Sequence, residues 1–310
     1  MSTPIDELQT LRDWLRYAVS RFREAGLAFG HGATNALDEA AFLLLWGLHL
    51  PIDQLDPFID AALTRPERER LAALIEARIA SRKPAAYLTG EAWIKGHRFV
   101  IDERVIVPRS FIGELLTDAD GVLTDITSGN RRVLDLCTGS GCLAILAALA
   151  NPHAMVDATE LSADALAVAK QNVADYGLKE RIRLHQGDLF APVAGQRYDL
   201  IISNPPYVTD AAVAAFPPEY AAEPALAHAG GPDGLVLIRR ILAGAGGHLE
   251  PAGKLLVEVG AGQALLAAEF PQLPFHWLDT AESAGEVFLL TAEYLREHAA
   301  AKSPQRRRRK

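Results

Sequence analysis

The tetrapeptide Asn204-Pro205-Pro206-Tyr207 directly follows an apolar, strand-like run. Two consecutive prolines fix the backbone and donate no N–H, so the carbonyl groups there stay available as acceptors on a stiff chain. Asn204 adds a side-chain carbonyl, and Tyr207 adds a flat aromatic ring. This combination suits a substrate that presents an –NH2 group on an sp² plane, although Asn-Pro-Pro also occurs in simple turns.

A glycine-rich turn lies upstream of the tetrapeptide. Residues 133–142 read Val-Leu-Asp-Leu-Cys-Thr-Gly-Ser-Gly-Cys, and the apolar run 143–150 follows, which predicts a strand, a turn and a helix. Gly139 and Gly141 allow close approach of a ligand, and the helix N-terminus offers free N–H groups. The turn lacks the G-x-G-x-x-G spacing of a dinucleotide site, and Asp135 on the strand favours a cation.

Two further acids end strand-like runs. Glu160 lies about 20 residues past the glycine turn, where an acid can bond ribose hydroxyls. Asp188 follows the run 182–186 and could accept a hydrogen bond from an adenine amino group. Each acid could instead cap a turn or form a surface charge. Together with Asp135 and the tetrapeptide, on successive strand–helix units, they predict a nucleoside site for a cationic ligand.

These motifs, in this order, resemble the S-adenosylmethionine-dependent methyltransferases that act on exocyclic or amide nitrogens. More narrowly, the chain is similar over about 38–295 to the HemK-type protein glutamine methyltransferases. Four further segments carry this resemblance: 86–90, 105–109, 219–224 and 230–235.

Within that family, residues 91–99 and 107–115 are similar to the branch that methylates ribosomal protein three of the large subunit. The release-factor branch usually has Pro-Arg-Pro where this chain has Pro-Arg-Ser at 108–110. Two features depart from the ribosomal branch, namely Phe111, where that branch often has proline, and the basic end of the chain.

The resemblance implies a cofactor and a set of site residues. S-adenosylmethionine is the expected methyl donor, with Glu160 on the ribose hydroxyls and Asp135 near the sulfonium or amino group. The tetrapeptide is expected to bind and activate the glutamine amide, with Asn204 also at the cofactor. Arg109 either helps bind the protein substrate or is a surface arginine without such a role. The expected contacts to the methionine part and adenine are Cys137, Thr138, Gly139, Ser140, Gly141, Asp188 and Leu189.

Composition limits the remaining possibilities. The chain has 310 residues, of which 49% are hydrophobic and 23% charged, as in ordinary soluble globular proteins. No apolar stretch reaches the about 18 residues of a membrane span, and the first residues do not form a signal peptide, so a cytoplasmic protein is expected. Neither the histidines nor the two cysteines show the spacing of metal ligands, and no metal is expected.

The charge distribution bears on partners. The net charge of −8 argues against broad binding to duplex DNA, which requires a basic surface. Residues 306–310 read Arg-Arg-Arg-Arg-Lys and form either a solvated end or a weak electrostatic tether to ribosomal RNA. Two other functions stay open: a nucleic-acid adenine methyltransferase, which uses the same tetrapeptide, and a non-catalytic scaffold for ribosome assembly.

The elements that must position these residues follow from hydrophobic periodicity. We predict a helical substrate-recognition domain (1–90), a β-hairpin linker (91–110), a methyltransferase domain (111–298) and a basic disordered tail (299–310). The predicted class is α/β, a seven-stranded doubly wound, Rossmann-like sheet, whose last strand is antiparallel by the resemblance. The segment 205–232 is predicted to be a long loop beside the site. The predicted strands are 132–137, 154–160, 182–186, 198–203, 253–259, 275–278 and 286–291.

Overall fold

The computed structural model describes residues 4–118, 123, 129, 131–281 and 283–302. The basic run 306–310 lies outside this part of the chain. Four helices come first, packed around their own core of side chains such as Trp14, Phe22 and Leu71. These helices are α1 (Leu11–Glu24), α2 (Ala36–Gly47), α3 (Arg65–Ser81) and α4 (Ala85–Thr89).

A two-stranded hairpin follows, with antiparallel strands β1 (Glu91–Ile94) and β2 (His97–Val100). Lys95 and Gly96 form its turn, both with positive φ. The chain then enters a short helix, α5 (Ile112–Thr117), which the hydrophobic pattern did not reveal.

The main domain is built on a seven-stranded sheet in the order β5-β4-β3-β6-β7-β9-β8. The strands from β5 to β7 are parallel, whereas β9 is antiparallel to both β7 and β8. The predicted class and the antiparallel last strand are therefore confirmed. The strands are β3 (Arg132–Leu136), β4 (Met155–Glu160), β5 (Ile182–Gln186), β6 (Tyr198–Ser203), β7 (Leu249–Glu258), β8 (His276–Asp279) and β9 (Ala284–Thr291).

Helices cover both faces of the sheet, so the central strands are buried on both sides. Leu143 and Ile145 pack on one face, and Ile238 and Ile241 pack on the other. The helices of this domain after α5 are α6 (Cys142–Ala150), α7 (Ala163–Asp175), α8 (Asp210–Ala214), α9 (Val236–His248), α10 (Gln263–Glu269) and α11 (Ala292–Lys302), of which α8 buries no side chain.

Two local predictions differ from the structure. The segment 205–232 is not a continuous loop, because it contains α8 and the short 3₁₀ helices Pro218–Ala222 and Ala225–Ala227. Because the segment is rich in alanine and proline, its sequence did not predict these short helices. In addition, α11 runs to Lys302, so the predicted start of the tail at 299 falls inside a helix. None of the helices in the described ranges is long and apolar enough to cross a bilayer.

Candidate active site

The carboxyl ends of β3, β4, β5 and β6 lie along one edge of the sheet. The chain winds in opposite directions from β3, toward β4 on one side and β6 on the other, and such a switch point is where ligands bind in sheets of this kind. A cavity of about 470 Å³ opens there. Its remaining walls come from the residues after the hairpin (104–106), the segment 224–231 and the start of α9.

The cavity brings together predicted residues from all four strand ends. The residues on its wall are Cys137, Gly139, Glu160, Asp188, Leu189, Asn204 and Pro206. The other predicted residues lie behind the wall or to one side of it, namely Asp135, Thr138, Ser140, Gly141, Pro205, Tyr207 and Arg109.

Asp135 lies beneath the glycine turn and is fully buried. Its Oδ2 accepts hydrogen bonds from the Thr138 hydroxyl at 2.5 Å and from the Ala144 N–H at 3.1 Å. Burial raises the pKa of this carboxyl to about 7, against the lowering effect of the two hydrogen bonds. The structure therefore gives Asp135 a role in holding the turn, whereas its predicted contact to the sulfonium or amino group stays a prediction.

Glu160 joins two of the loops at the cavity. One carboxylate oxygen accepts from the Gly139 N–H and the other from the Ser162 N–H, each at 2.9 Å. These bonds fix the carboxylate at the cavity wall. Each oxygen of an ionised carboxylate has two lone pairs, so Glu160 can still accept from a pair of vicinal hydroxyls.

The outer end of the cavity contains features that the sequence did not reveal. Arg240 on α9 forms an ion pair with Asp188 at 2.6 Å. Leu161, Leu226 and Val236 line the cavity although their side chains are exposed. Exposed apolar side chains around a concave site are typical of a surface that binds a flat, partly apolar ligand group. No motif marked these residues, because they come together only through folding.

The tetrapeptide presents unused acceptors. The carboxamide of Asn204 forms no hydrogen bond with any described residue, and neither do the carbonyl oxygens of Pro205 and Pro206. The end of β6 is nevertheless fixed, because the Ser203 hydroxyl donates to the Leu136 carbonyl at 2.9 Å. The acceptors therefore project from a rigid point of the sheet.

Three glycines allow the chain to pack closely around Tyr207. A Cβ atom on Gly234 would lie 2.3 Å from the Tyr207 carbonyl oxygen, and one on Gly230 would lie 2.8 Å from its Cα. A Cβ atom on Gly260 would lie 2.6 Å from the ring carbon Cε2. The Gly-Gly-Pro-Asp-Gly segment (230–234) thus allows close packing against the backbone of Tyr207, and Gly260 allows close packing against its ring.

We expect Gly234→Ala to lower the free energy of unfolding strongly. Gly234 has φ +78°, where alanine costs roughly 1–2 kcal/mol, and the backbone clash adds about 1–3 kcal/mol. Gly177→Ala is the matched control, since Gly177 has φ +66° with no atom within 4 Å of the added carbon. Urea unfolding of both variants separates the cost of a positive φ, which both share, from the cost of the backbone clash, which only Gly234→Ala has. Equal losses of stability would contradict the close packing around Tyr207.

Arg109 belongs to a buried ionic cluster rather than to the cavity wall. Its guanidinium binds both carboxylate oxygens of Glu223 at 2.7 Å, and the Val107 N–H also donates to Glu223 at 2.9 Å. His228 lies 2.9 Å and His31 3.6 Å from the same carboxylate. We call these five residues the Glu223 cluster. It joins the N-terminal domain, the hairpin exit and the segment that covers the cavity.

A second contact fastens the same segment to the N-terminal domain. Glu219 is fully buried, accepts from the Ala28 N–H at 3.0 Å and pairs with Arg82 at 2.6 Å. Because residues 224–231 line the cavity, the N-terminal helices hold one of its walls in place.

A groove of about 320 Å³ lies on the other side of Arg109, which we call the hairpin groove. The N-terminal domain, the hairpin and the start of α5 each supply part of its wall. The residues that line it are Gly30, Gly32, Ala33, Thr34, Trp93, Ile94, Lys95, Pro108, Arg109, Ser110, Phe111 and Glu114.

Comparisons with known proteins show the family of this chain. The methyltransferase small domain family matches residues 119–217. A protein of Bordetella pertussis named ribosomal protein uL3 glutamine methyltransferase is 56% identical over 93% of this chain and 97% of its own length. The chain belongs to the family of ribosomal protein uL3 glutamine methyltransferases. A protein of the same name from Burkholderia pseudomallei is 54% identical over 95% of this chain and 98% of its own.

Membership of this family confirms the HemK-type resemblance and the ribosomal branch that the motifs indicated. Among solved structures, a methyltransferase from Pyrococcus furiosus is 17% identical, with a TM-score of 0.48. That match covers 72% of this chain and 98% of the other.

Proposed function

We propose that the protein transfers a methyl group from S-adenosylmethionine to the side-chain amide nitrogen of a glutamine in ribosomal protein uL3, in the cytoplasm. The observation that carries this proposal is the set of unused acceptors on Asn204, Pro205 and Pro206 beside the cavity at the switch point of the sheet. The names of the close relatives support the substrate.

The cavity fits the proposed methyl donor. Its volume is in the range of about 300–1,000 Å³ that is usual for small-molecule sites. Glu160 would hold the ribose hydroxyls, the turn 137–141 would contact the methionine part, and Asp188 with Leu189 would border the adenine. The bound donor supplies an electrophilic methyl group. Among the described residues, no group of His, Cys, Asp and Glu is arranged to hold a metal ion.

The tetrapeptide supplies the acceptors for the glutamine amide. An amide nitrogen is a poor nucleophile because its lone pair is delocalised into the carbonyl group. As positive charge builds on this nitrogen, its protons become more acidic, and hydrogen bonds to the Asn204 side-chain oxygen and the Pro205 carbonyl become stronger. Interactions that strengthen in this way stabilise the transition state more than the ground state.

Tyr207 supplies a ring face that can stack on the planar amide and favours developing cationic character. Holding the amide in line with the methyl group adds a positioning effect. The tetrapeptide contains no strong base, and none is needed before transfer, since the proton can leave afterwards.

The hairpin groove is the proposed path of the protein substrate. It is lined by the N-terminal domain and the hairpin. Ser110 and Phe111 at one side of it donate hydrogen bonds to Glu258, which also accepts from the Tyr207 hydroxyl. On this basis we propose a recognition domain (1–90), a linker (91–110) and a methyltransferase domain (111–298), whose last helix α11 continues to Lys302. Contact with ribosomal RNA through 306–310 stays a prediction.

Replacement of Glu160 by glutamine is expected to weaken S-adenosylmethionine binding by about tenfold, because a charge-assisted hydrogen bond to the donor becomes a neutral one. Isothermal titration calorimetry on the purified protein measures this change. Glu180→Gln, at an exposed carboxylate outside the cavity, is the control. An unchanged dissociation constant for the Glu160 variant would exclude the proposed contact with the ribose.

The proposed function can be tested by incubating the purified protein with labelled S-adenosylmethionine and a lysate from cells that lack this gene. Nuclease treatment and peptide mapping then locate the label. Label on a glutamine of uL3 is the expected result. Label on a release factor would retain the reaction and overturn the substrate. Label lost to nuclease would indicate adenine methylation, and absence of label would favour the scaffold.

A further inference from the structure

Glu258 is a fully buried carboxylate at the end of β7. One oxygen accepts from the Tyr207 hydroxyl at 2.8 Å. The other accepts from the Ser110 hydroxyl at 2.7 Å and from the Phe111 N–H at 3.1 Å. A single rigid group therefore connects the aromatic residue of the tetrapeptide with the wall of the hairpin groove.

We infer that Glu258 is a positioning residue for methyl transfer: it fixes the Tyr207 ring against the glutamine amide and sets that ring relative to Ser110 and Phe111. This inference rests on the proposed function. The ring is held at its hydroxyl end by Glu258 and is packed closely against Gly260, where a side chain would lie only 2.6 Å from Cε2. Held at these two points, the ring has little freedom to tilt away from a bound amide.

The cost of this arrangement supports a functional role. Burial raises the pKa of the Glu258 carboxyl to about 7, although three hydrogen bonds act in the opposite direction. Replacement of both partners of a buried hydrogen bond by apolar groups of the same shape can be nearly neutral, so stability alone does not explain a carboxyl group at this position. Strongly perturbed carboxyl groups are frequent at functional sites, where geometry has to be maintained.

The same sheet contains a second buried tyrosine–carboxylate pair, which serves as a control. The Tyr198 hydroxyl donates to Asp157 at 3.0 Å. Tyr198 is the first residue of β6, at the end of the strand opposite to the tetrapeptide, and neither residue of the pair lines the cavity or the hairpin groove. Changes to this pair should affect stability but not turnover.

The test compares wild type, Glu258→Gln, Tyr207→Phe and the double variant as full-length proteins, with purified uL3 as the methyl acceptor. Each single change is expected to lower kcat by about 10- to 100-fold, because a small misplacement of a positioned group costs about that much. The KM for S-adenosylmethionine should stay within about twofold, and the double variant should be no slower than the slower single variant. Asp157→Asn and Tyr198→Phe should retain the wild-type kcat.

An unchanged kcat in either single variant would overturn the inference, and so would losses that multiply in the double variant. If Glu258→Gln does not fold, Tyr207→Phe alone decides, since it removes the same hydrogen bond at the half-buried Tyr207 and leaves Glu258 in place. A wild-type protein without turnover would overturn the proposed function and this inference together. Turnover by the wild type with unaffected variants would overturn this inference alone.

Discussion

Replacement of Asn204 by alanine is expected to lower kcat for methyl transfer by about 10²- to 10³-fold, the usual effect of removing one preorganised polar partner of the reacting group. The Asn204 carboxamide has no partner among the described residues, so its removal breaks no internal hydrogen bond. Stability and the dissociation constant of S-adenosylmethionine should therefore change little. Single-turnover assays with labelled donor and calorimetric binding measure the two quantities.

Asn204→Asp is the matched variant, because aspartate retains an acceptor oxygen at the same place. It should keep more activity than the alanine variant if acceptance of an amide proton is what matters. Equal activity of wild type and Asn204→Ala would contradict the mechanism. A parallel loss of cofactor affinity and kcat would instead place Asn204 mainly at the methyl donor.

The parts of the site that the sequence predicted are those encoded by short segments. The glycine turn, Glu160 and Asp188 lie at or just after the ends of β3, β4 and β5, and parallel strands necessarily bring their carboxyl ends to one edge. A position near a strand end does not, however, define the side to which its side chain points. Asp135 illustrates this, because its Oδ2 lies beneath the glycine turn and accepts hydrogen bonds from Thr138 and Ala144.

The parts that the sequence did not reveal depend on partners far apart in the chain. Glu258 meets Ser110 across 148 positions, and Glu219 meets Ala28 across 191. Isolated glutamates in a chain with 39 acidic residues carry no signal of such pairing. The Pro108-Arg-Ser segment and the Glu-Tyr-Ala-Ala-Glu segment were visible as motifs. Only the fold shows that these two segments form the two sides of one ionic cluster.

The Glu223 cluster should dominate the stability of the contact between the domains. Glu223→Ala is expected to lower the free energy of unfolding by about 3–5 kcal/mol, since it leaves Arg109 without its carboxylate in a largely buried place. Asp60→Ala is the control, because the Arg12–Asp60 pair has a similar distance of 2.7 Å but is exposed. This change should leave the free energy of unfolding nearly unaltered, because water and salt screen an exposed ion pair.

The cluster also predicts how stability depends on pH. Burial opposes the charge of Glu223, but Arg109 and the adjacent His228 hold its pKa at about 2, below the ordinary 4.5. Burial lowers the pKa of His31 from 6.5 to about 4, because the nearby arginines offset the attraction of Glu223. At pH values between the folded and the ordinary pKa of each group, the unfolded chain binds more protons than the folded protein. Stability should therefore fall as the pH drops from 6.5 to 4 through His31, and from 4.5 to 2 through Glu223.

Urea unfolding at pH 7, 5, 4, 3 and 2 measures this dependence for wild type, His31→Gln and Glu223→Gln. His31→Gln should flatten the curve between pH 6.5 and 4, because glutamine does not titrate. Glu223→Gln should be less stable than wild type at pH 7, and this difference should shrink as wild-type Glu223 becomes protonated. A constant difference down to pH 2 would show that Glu223 contributes by packing and not by charge, and the ionic connection between the N-terminal domain and the cavity wall would then have to be abandoned.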